Sequence, residues 1–140
     1  PTLTAIYARV SSHDQKGDID RQIARVATYA AEQGIKVDRI VSEIGSGLND
    51  KRKELGKLLA DPQIGTIIVE HKDRLARFGV RHLQTVLGAT GRNIIVVDSG
   101  EVKDDLVRDM IDLMACFSAR LYGRRSAKNR AERALEALKP

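Results

Sequence analysis

The sequence predicts an α/β fold: one domain with a central, mostly parallel sheet of four to five strands flanked by helices, plus a long C-terminal helix extending from the body. Three observations carry that reading. Strand-like and helix-like segments alternate along roughly the first hundred residues, the pattern left by a parallel sheet with helical crossovers. A length of 140 residues suits one hydrophobic core that needs neither disulfides nor a structural metal. From Asp104 the pattern changes, with Leu106, Met110, Leu113, Phe117 and Leu121 following at steps of four, three, four and four and no proline before Pro140.

Residues 2–10 read as the first strand. From 17 to 33, apolar or small residues at Ile19, Ile23, Val26, Ala27 and Ala30 mark one face of a first helix, with Gly34 placed to stop it. Residues 37–42 read as a second strand and 44–50 as a mobile loop. A short helix over 51–60 follows, ended by Asp61-Pro62. Residues 66–70, with Ile67, Ile68 and Val69, form a buried strand that leads through a charged loop into a helix ending near 90, at Gly91. Residues 93–98 form the fourth strand. Asp104 then serves as N-cap of one long helix. At 1.5 Å per residue that helix spans about 50 Å. A body with a radius of gyration of about 13 Å does not cover it end to end. The expected organisation is an α/β core over 1–103 and, within the same domain, a helix over 104–140 whose apolar half suits a core or subunit contact.

Composition excludes several classes. A hydrophobic share of 42% with 31% charged residues is ordinary for a soluble globular protein. No apolar run approaches the roughly 18 residues of a membrane span. No basic-then-apolar leader opens the chain and Cys116 is the single cysteine, so a reducing, cytoplasmic setting (the interior or nucleoid of a prokaryotic cell) is expected. Cys116, among Leu113, Met114, Ala115 and Phe117, reads as a small buried hydrophobe. The net charge of +5 is localised: residues 1–118 hold 17 basic and 17 acidic side chains, whereas 119–140 hold seven and two. A basic segment on a neutral domain points to a polyanion, nucleic acid first. Arg120, Arg124, Arg125, Lys128, Arg130 and Arg133 make up that segment with Lys139.

The chemistry-bearing residues sit at predicted strand ends. Tyr7-Ala8-Arg9-Val10-Ser11-Ser12 puts a hydroxyl beside a guanidinium whose planar donors match phosphate oxygens in pairs. In a parallel α/β sheet, ligands bind beyond the carboxyl ends of the strands. There the first strand delivers Arg9 and Ser11. The second delivers Glu43, with Ser46 and Arg52 along its loop, and the third delivers His71, Lys72, Asp73, Arg74 and Arg77. On a helix, Arg74 and Arg77 would project from one face, with Asp73 free to hold a guanidinium in place. Such an edge suits phosphoryl transfer by preorganised positive charge. Paired carboxylates for a two-metal site are harder to assemble. Glu43, Asp73, Asp98, Asp104 and Asp105 give each strand end at most one acid, the first gives none, and His13, His71 and His82 lack ligand spacing. A metal-free site without cofactor is expected.

Four motifs in order, Tyr7-Ala8-Arg9-Val10-Ser11, Asp20-Arg21-Gln22, Gly45-Ser46-Gly47 with Arg52, and Asp73-Arg74-Leu75-Ala76-Arg77, resemble the catalytic domain of the serine recombinases, the resolvase and invertase superfamily. Ala119-Arg120-Leu121-Tyr122-Gly123-Arg124-Arg125-Ser126 resembles the insertion-sequence transposase branch, which places its DNA-binding domain before the catalytic one. The resemblance implies that Ser11 attacks a DNA phosphodiester, becomes joined to the 5′ phosphate and releases a 3′ hydroxyl, without metal or ATP. It implies that Arg9, Arg74 and Arg77 bind the scissile phosphate, with Asp73 orienting them. Arg52 would be a further cationic contact, Gln22 and Ser46 polar supports, Tyr7 a packing or hydrogen-bonding neighbour, and Arg120 a DNA contact. Glu43 stands where many relatives have aspartate, Ala119 where resolvases usually carry glutamate, and Ser12 is a second hydroxyl beside the first. The expected partners are double-stranded DNA, copies of the chain in a homodimer or homotetramer, and a DNA-recognition domain outside this chain, on its N-terminal side. The rival readings are a catalytically inactive DNA-binding and oligomerisation module, and a metal-dependent phosphodiesterase.

Overall fold

The computed structural model describes residues 2–48, 52–100, 103–122 and 124–138. Strands β1 (Leu3–Val10), β2 (Arg39–Ile44), β3 (Ile64–Val69) and β4 (Asn93–Val96) lie parallel in the order β2-β1-β3-β4. Around them run helices α1 (Gly17–Glu32), α2 (Lys53–Ala60), α3 (Lys72–Leu75) and α4 (Val80–Gly88). Strands covered on both faces must be apolar on both, and β1 is buried continuously from Ala5 to Val10. Side chains alternate between the two faces. Ala5, Tyr7, Ile67 and Val69 pack with Leu55 and Leu58 of α2, Leu75 of α3 and Leu87 of α4. Ile6 and Ile68 pack with Val26 and Ala30 of α1, and Ala8 and Val10 with Ile19. Each fully buried isoleucine stabilises the fold by about 1.5–3 kcal/mol.

The connections place the site. β1 leads through α1 to β2 on one side, and β2 leads through α2 back past β1 to β3 on the other. The winding therefore reverses between β1 and β3. At such a switch point, helices on opposite faces leave a crevice at the carboxyl ends of the strands.

Several predicted boundaries move. The second strand runs over Arg39–Ile44 rather than 37–42, because its ladder opens with Arg39 opposite Ala5. Asp38 instead clasps Thr4, donating its N–H to the Thr4 carbonyl at 2.8 Å and accepting the Thr4 N–H on its carboxylate at 2.9 Å. The charged loop predicted after the third strand holds a short helix of its own, α3, set apart from α4 by Ala76, extended at φ −156°, ψ 141°, and by Gly79, which opens α4 with a left-handed φ of +87°. Arg77 thus lies beyond the end of α3 and shares no helix face with Arg74.

Residues 103–140 form a second compact unit. Here the predicted single helix is corrected to two, α5 (Lys103–Tyr122) and α6 (Arg124–Ala137), which contact each other. Because α5 begins at Lys103, Asp104 lies in its first turn and is not its N-cap. Cys116 is exposed, not buried, as are Leu113, Phe117 and Leu121 at 44%, 67% and 62%. No helix among the described residues is long and apolar enough to cross a membrane.

Candidate active site

Arg9 and Ser11 stand where β1 runs out into the crevice. Arg9 is fully buried, and its guanidinium is spread over three segments of chain. Nη1 donates to the Ser11 hydroxyl oxygen at 3.0 Å and to the Gly45 carbonyl at 2.9 Å, Nε to the Arg74 carbonyl at 3.0 Å, and Nη2 to the Asp73 carbonyl at 2.5 Å. Carbonyl dipoles offset the desolvation of a buried cation without neutralising it. Ser11 is 8% exposed, beside that charge. The neighbouring hydroxyl goes elsewhere, since Ser12 donates to the Asp14 carboxylate in the single 3-10 turn His13–Gln15.

The loop after β3 supplies the other cations. Arg74, 1% exposed, donates from Nη1 to the Arg9 carbonyl at 2.9 Å and from Nη2 to Asp18 at 3.2 Å, so it and Arg9 bond reciprocally to each other's main chain. Arg77, 7% exposed, pairs with Asp73 at 2.9 Å, and its N–H holds the Gly47 carbonyl at 3.0 Å. Asp73 thus pairs with one arginine through a carboxylate oxygen, while its carbonyl receives another. Arg52 comes from the loop after β2. It donates to the Tyr7 hydroxyl at 3.1 Å, to the Arg74 carbonyl at 3.0 Å and to the Leu75 carbonyl. Gly45 permits this approach, because a Cβ there would stand 3.2 Å from the Arg52 Cγ.

Tyr7 and Glu43 lie behind Arg52 as its support. The Tyr7 hydroxyl donates to Glu43 at 2.5 Å, and burial together with that carboxylate pushes the phenol well above its ordinary pKa against the opposing pull of Arg52. Tyr7 is therefore a neutral donor at any physiological pH. The Glu43 carboxylate also accepts the N–H groups of Glu54 and Leu55 at 3.1 and 3.0 Å, capping the first turn of α2 from another element. Ser46, 7% exposed, closes its own loop by accepting the Leu48 N–H at 3.1 Å.

Gln22 is fully buried on α1 and brackets the Arg9 main chain, accepting its N–H at 3.2 Å and donating to its carbonyl at 2.8 Å. Two further residues, missing from the sequence reading of the site, belong to the same network. Asp18 holds Gln22 at 3.0 Å, Arg74 at 3.2 Å and Arg21 at 2.5 Å. Burial pulls its pKa upward, but the hydrogen bonds from Arg21 and Gln22 outweigh this and leave it lowered. Glu70, fully buried at the end of β3, takes both forks of Arg21 at 2.7 Å, Arg25 at 3.2 Å and the His71 ring at 3.5 Å. The sequence signal for Glu70 was an acid closing an apolar strand opposite arginines spaced i, i+4 on a helix.

The predicted site residues of the core thus come together: Ser11, Arg9, Arg52, Arg74, Arg77 and Asp73 at the crevice, with Tyr7, Gln22, Glu43 and Ser46 around them. Arg120 is exposed in the last turn of α5. Arg124, Arg125 and Lys128 fall on α6, with side chains outside those described. Four arginines beside one hydroxyl, each less than 10% exposed, can bind an anion and stabilise charge growing on oxygen.

Comparison with known proteins identifies the family. The family described as "Resolvase, N terminal domain" matches residues 4–138. An uncharacterized protein of Mycobacterium bovis is 46% identical over 134 residues, covering 96% of this chain and 45% of that protein. A putative resolvase of Acanthamoeba polyphaga mimivirus is 33% identical over 135 residues, covering 91% and 68%. The chain therefore spans less than half of the mycobacterial relative. Among solved structures, the C-terminal catalytic domain of IS1535 TnpA, an IS607-like serine recombinase, is 52% identical with a TM-score of 0.87, covering 97% of this chain and 98% of that one. A serine recombinase from Sulfolobus solfataricus is 35% identical with a TM-score of 0.78 over the whole of both chains. The chain belongs to the resolvase family of serine recombinases, beside the catalytic domains of its insertion-sequence branch.

Proposed function

We propose that this chain is the catalytic part of a DNA recombinase acting in transposition, with Ser11 as the nucleophile. The observation that carries the proposal is the Ser11 hydroxyl, 3.0 Å from the buried Arg9 guanidinium, in the strand-switch crevice that also holds Arg74 and Arg77. In the proposed step the Ser11 oxygen bonds to the phosphorus of a DNA phosphodiester and the bond from phosphorus to the 3′ oxygen breaks. The serine proton is lost as the leaving 3′ oxygen takes one up. Arg9 stabilises the serine oxygen as charge builds, while Arg74 and Arg77 take the phosphate oxygens, with Asp73 orienting them and Arg52 as a further cation. Rejoining is the reverse attack by the 3′ hydroxyl of a new partner. One phosphodiester replaces another, so no ATP is required, and the arginine cluster takes the charge-stabilising role that a metal plays elsewhere.

Two duplexes cut on both strands need four nucleophiles, so the working form is a homo-oligomer, dimers joining into a tetramer. Arg120, Arg124, Arg125 and Lys128 are the proposed DNA contacts of the C-terminal unit. The sequence-reading domain is placed N-terminal to this chain, in keeping with the description of its IS1535 relative as a C-terminal catalytic domain. The test is a nicked suicide duplex carrying the cognate ends, incubated with full-length protein. The expected result is a covalent adduct at the 5′ end, persisting in chelator and lost in Ser11→Ala. Binding and assembly with no serine-linked 5′ end would make the chain an inactive DNA-binding module. Cleavage lost in chelator and kept in Ser11→Ala would make it a metal-dependent phosphodiesterase.

A further inference from the structure

Arg77 also lines a concavity of about 480 Å³ at the carboxyl ends of β3 and β4 and the start of α4, whose polar wall is Lys72, Arg77, Arg81, Gln84 and Ser99 and whose apolar wall is Phe78, Val80 and Val96. Its described charged lining is wholly cationic. Arg77 is matched with Asp73, and elsewhere in this unit Arg21 and Arg25 are matched with Glu70 and Asp98 and Arg39 with Asp61. Lys72 and Arg81 are exposed and ion-paired to none of the described residues. Holding like charges around one hollow costs free energy that a bound anion recovers.

We propose that this concavity seats a DNA backbone phosphate flanking the scissile one, with Lys72 and Arg81 as its ionic contacts and the Gln84 amide and Ser99 hydroxyl as further donors. The inference rests on the proposed reaction at Ser11, because Arg77 is the wall the two sites share. A strand of duplex DNA carries one charge per about 3.4 Å of rise, so a phosphate held by Arg77 brings a second along the same edge. That continuity favours a nucleic-acid backbone over a free anion or an acidic peptide, neither of which is tied to the occupancy of the first site. Lys72 and Arg81 therefore bind and align the strand and take no part in bond making.

The test uses full-length protein, a cognate duplex and the double variant Lys72→Gln/Arg81→Gln, whose exposed positions leave the thermal midpoint unchanged. Losing the one phosphate that Lys72 and Arg81 hold flattens the slope of log Kobs against log salt by about 0.9, and the loss appears equally on unrelated duplexes. A single neutral methylphosphonate beside the cleaved bond weakens the wild type and leaves the double variant unaffected. An unchanged slope, or equal sensitivity of both proteins to the methylphosphonate, overturns the proposal. Ser11→Ala separates the two readings: it abolishes the covalent adduct and keeps the wild-type salt slope, so absence of any adduct indicts the reaction and absence of a slope change indicts the seat.

Discussion

Arg9 places four hydrogen bonds on a hydroxyl and three main-chain carbonyls, which only a planar fork with donors in fixed directions can do. Arg9→Lys keeps the charge and loses the geometry. It is expected to lower adduct formation about 100-fold, measured as the rate of covalent trapping on the suicide duplex. Glu70 illustrates the opposite dependence, on charge. Burial pulls its carboxyl upward, yet the hydrogen bonds from Arg21 and Arg25 outweigh this and hold it below the ordinary 4.5. Its stabilisation is thus present in full above the unfolded value and is lost as pH falls through the lower folded one. Glu70→Gln should cost on the order of 1–2 kcal/mol at neutral pH, since its arginine partners are half exposed, and urea midpoints should show a flatter acid limb than the wild type. The same variant should slow trapping, because Glu70 reaches Arg74 through Arg21 and Asp18. Ser11 and the arginines were legible in the sequence because strand ends in a parallel sheet converge. Glu70 and Asp18 were not, because the contacts that tie them into the site, Arg21 with Glu70 and Arg74 with Asp18, span 49 and 56 residues.

At the scale of elements, the buried strands and the first helix followed from periodicity, since burial on both faces leaves little freedom in what such residues do. The places where prediction failed are where a single backbone angle decides. Extended Ala76 and left-handed Gly79 set α3 apart from α4, and the break leaves the Arg77 N–H to the Gly47 carbonyl. Gly79→Ala forces a side chain into the left-handed region and should destabilise the unit by about 1–2 kcal/mol, visible as a lower melting temperature. Glu43 makes a related point. Its capping of α2 requires two elements distant in sequence to meet, and the role of its carboxylate emerged only with the fold.

At the scale of the molecule, the sequence showed the charge asymmetry and the apolar stripe of the C-terminal residues, while their division into two helices stayed hidden because the stripe is continuous up to Leu121. Leu113, Phe117 and Leu121 form an exposed apolar row on α5, which suits contact between copies. Phe117→Asp should weaken self-association by about 2 kcal/mol, roughly 30-fold in Kd, read by sedimentation with helicity unchanged. The arginine forks carry a different consequence for the working protein. Because the carbonyls of Gly45, Asp73, Arg74 and Leu75 already occupy Arg9 and Arg52, any anion must outcompete the chain itself. A free phosphate ion brings a few oxygens and nothing else to that contest. A duplex brings many contacts at once, so the same cluster that would cleave DNA is expected to ignore the millimolar anions of its surroundings and to act as a filter for length.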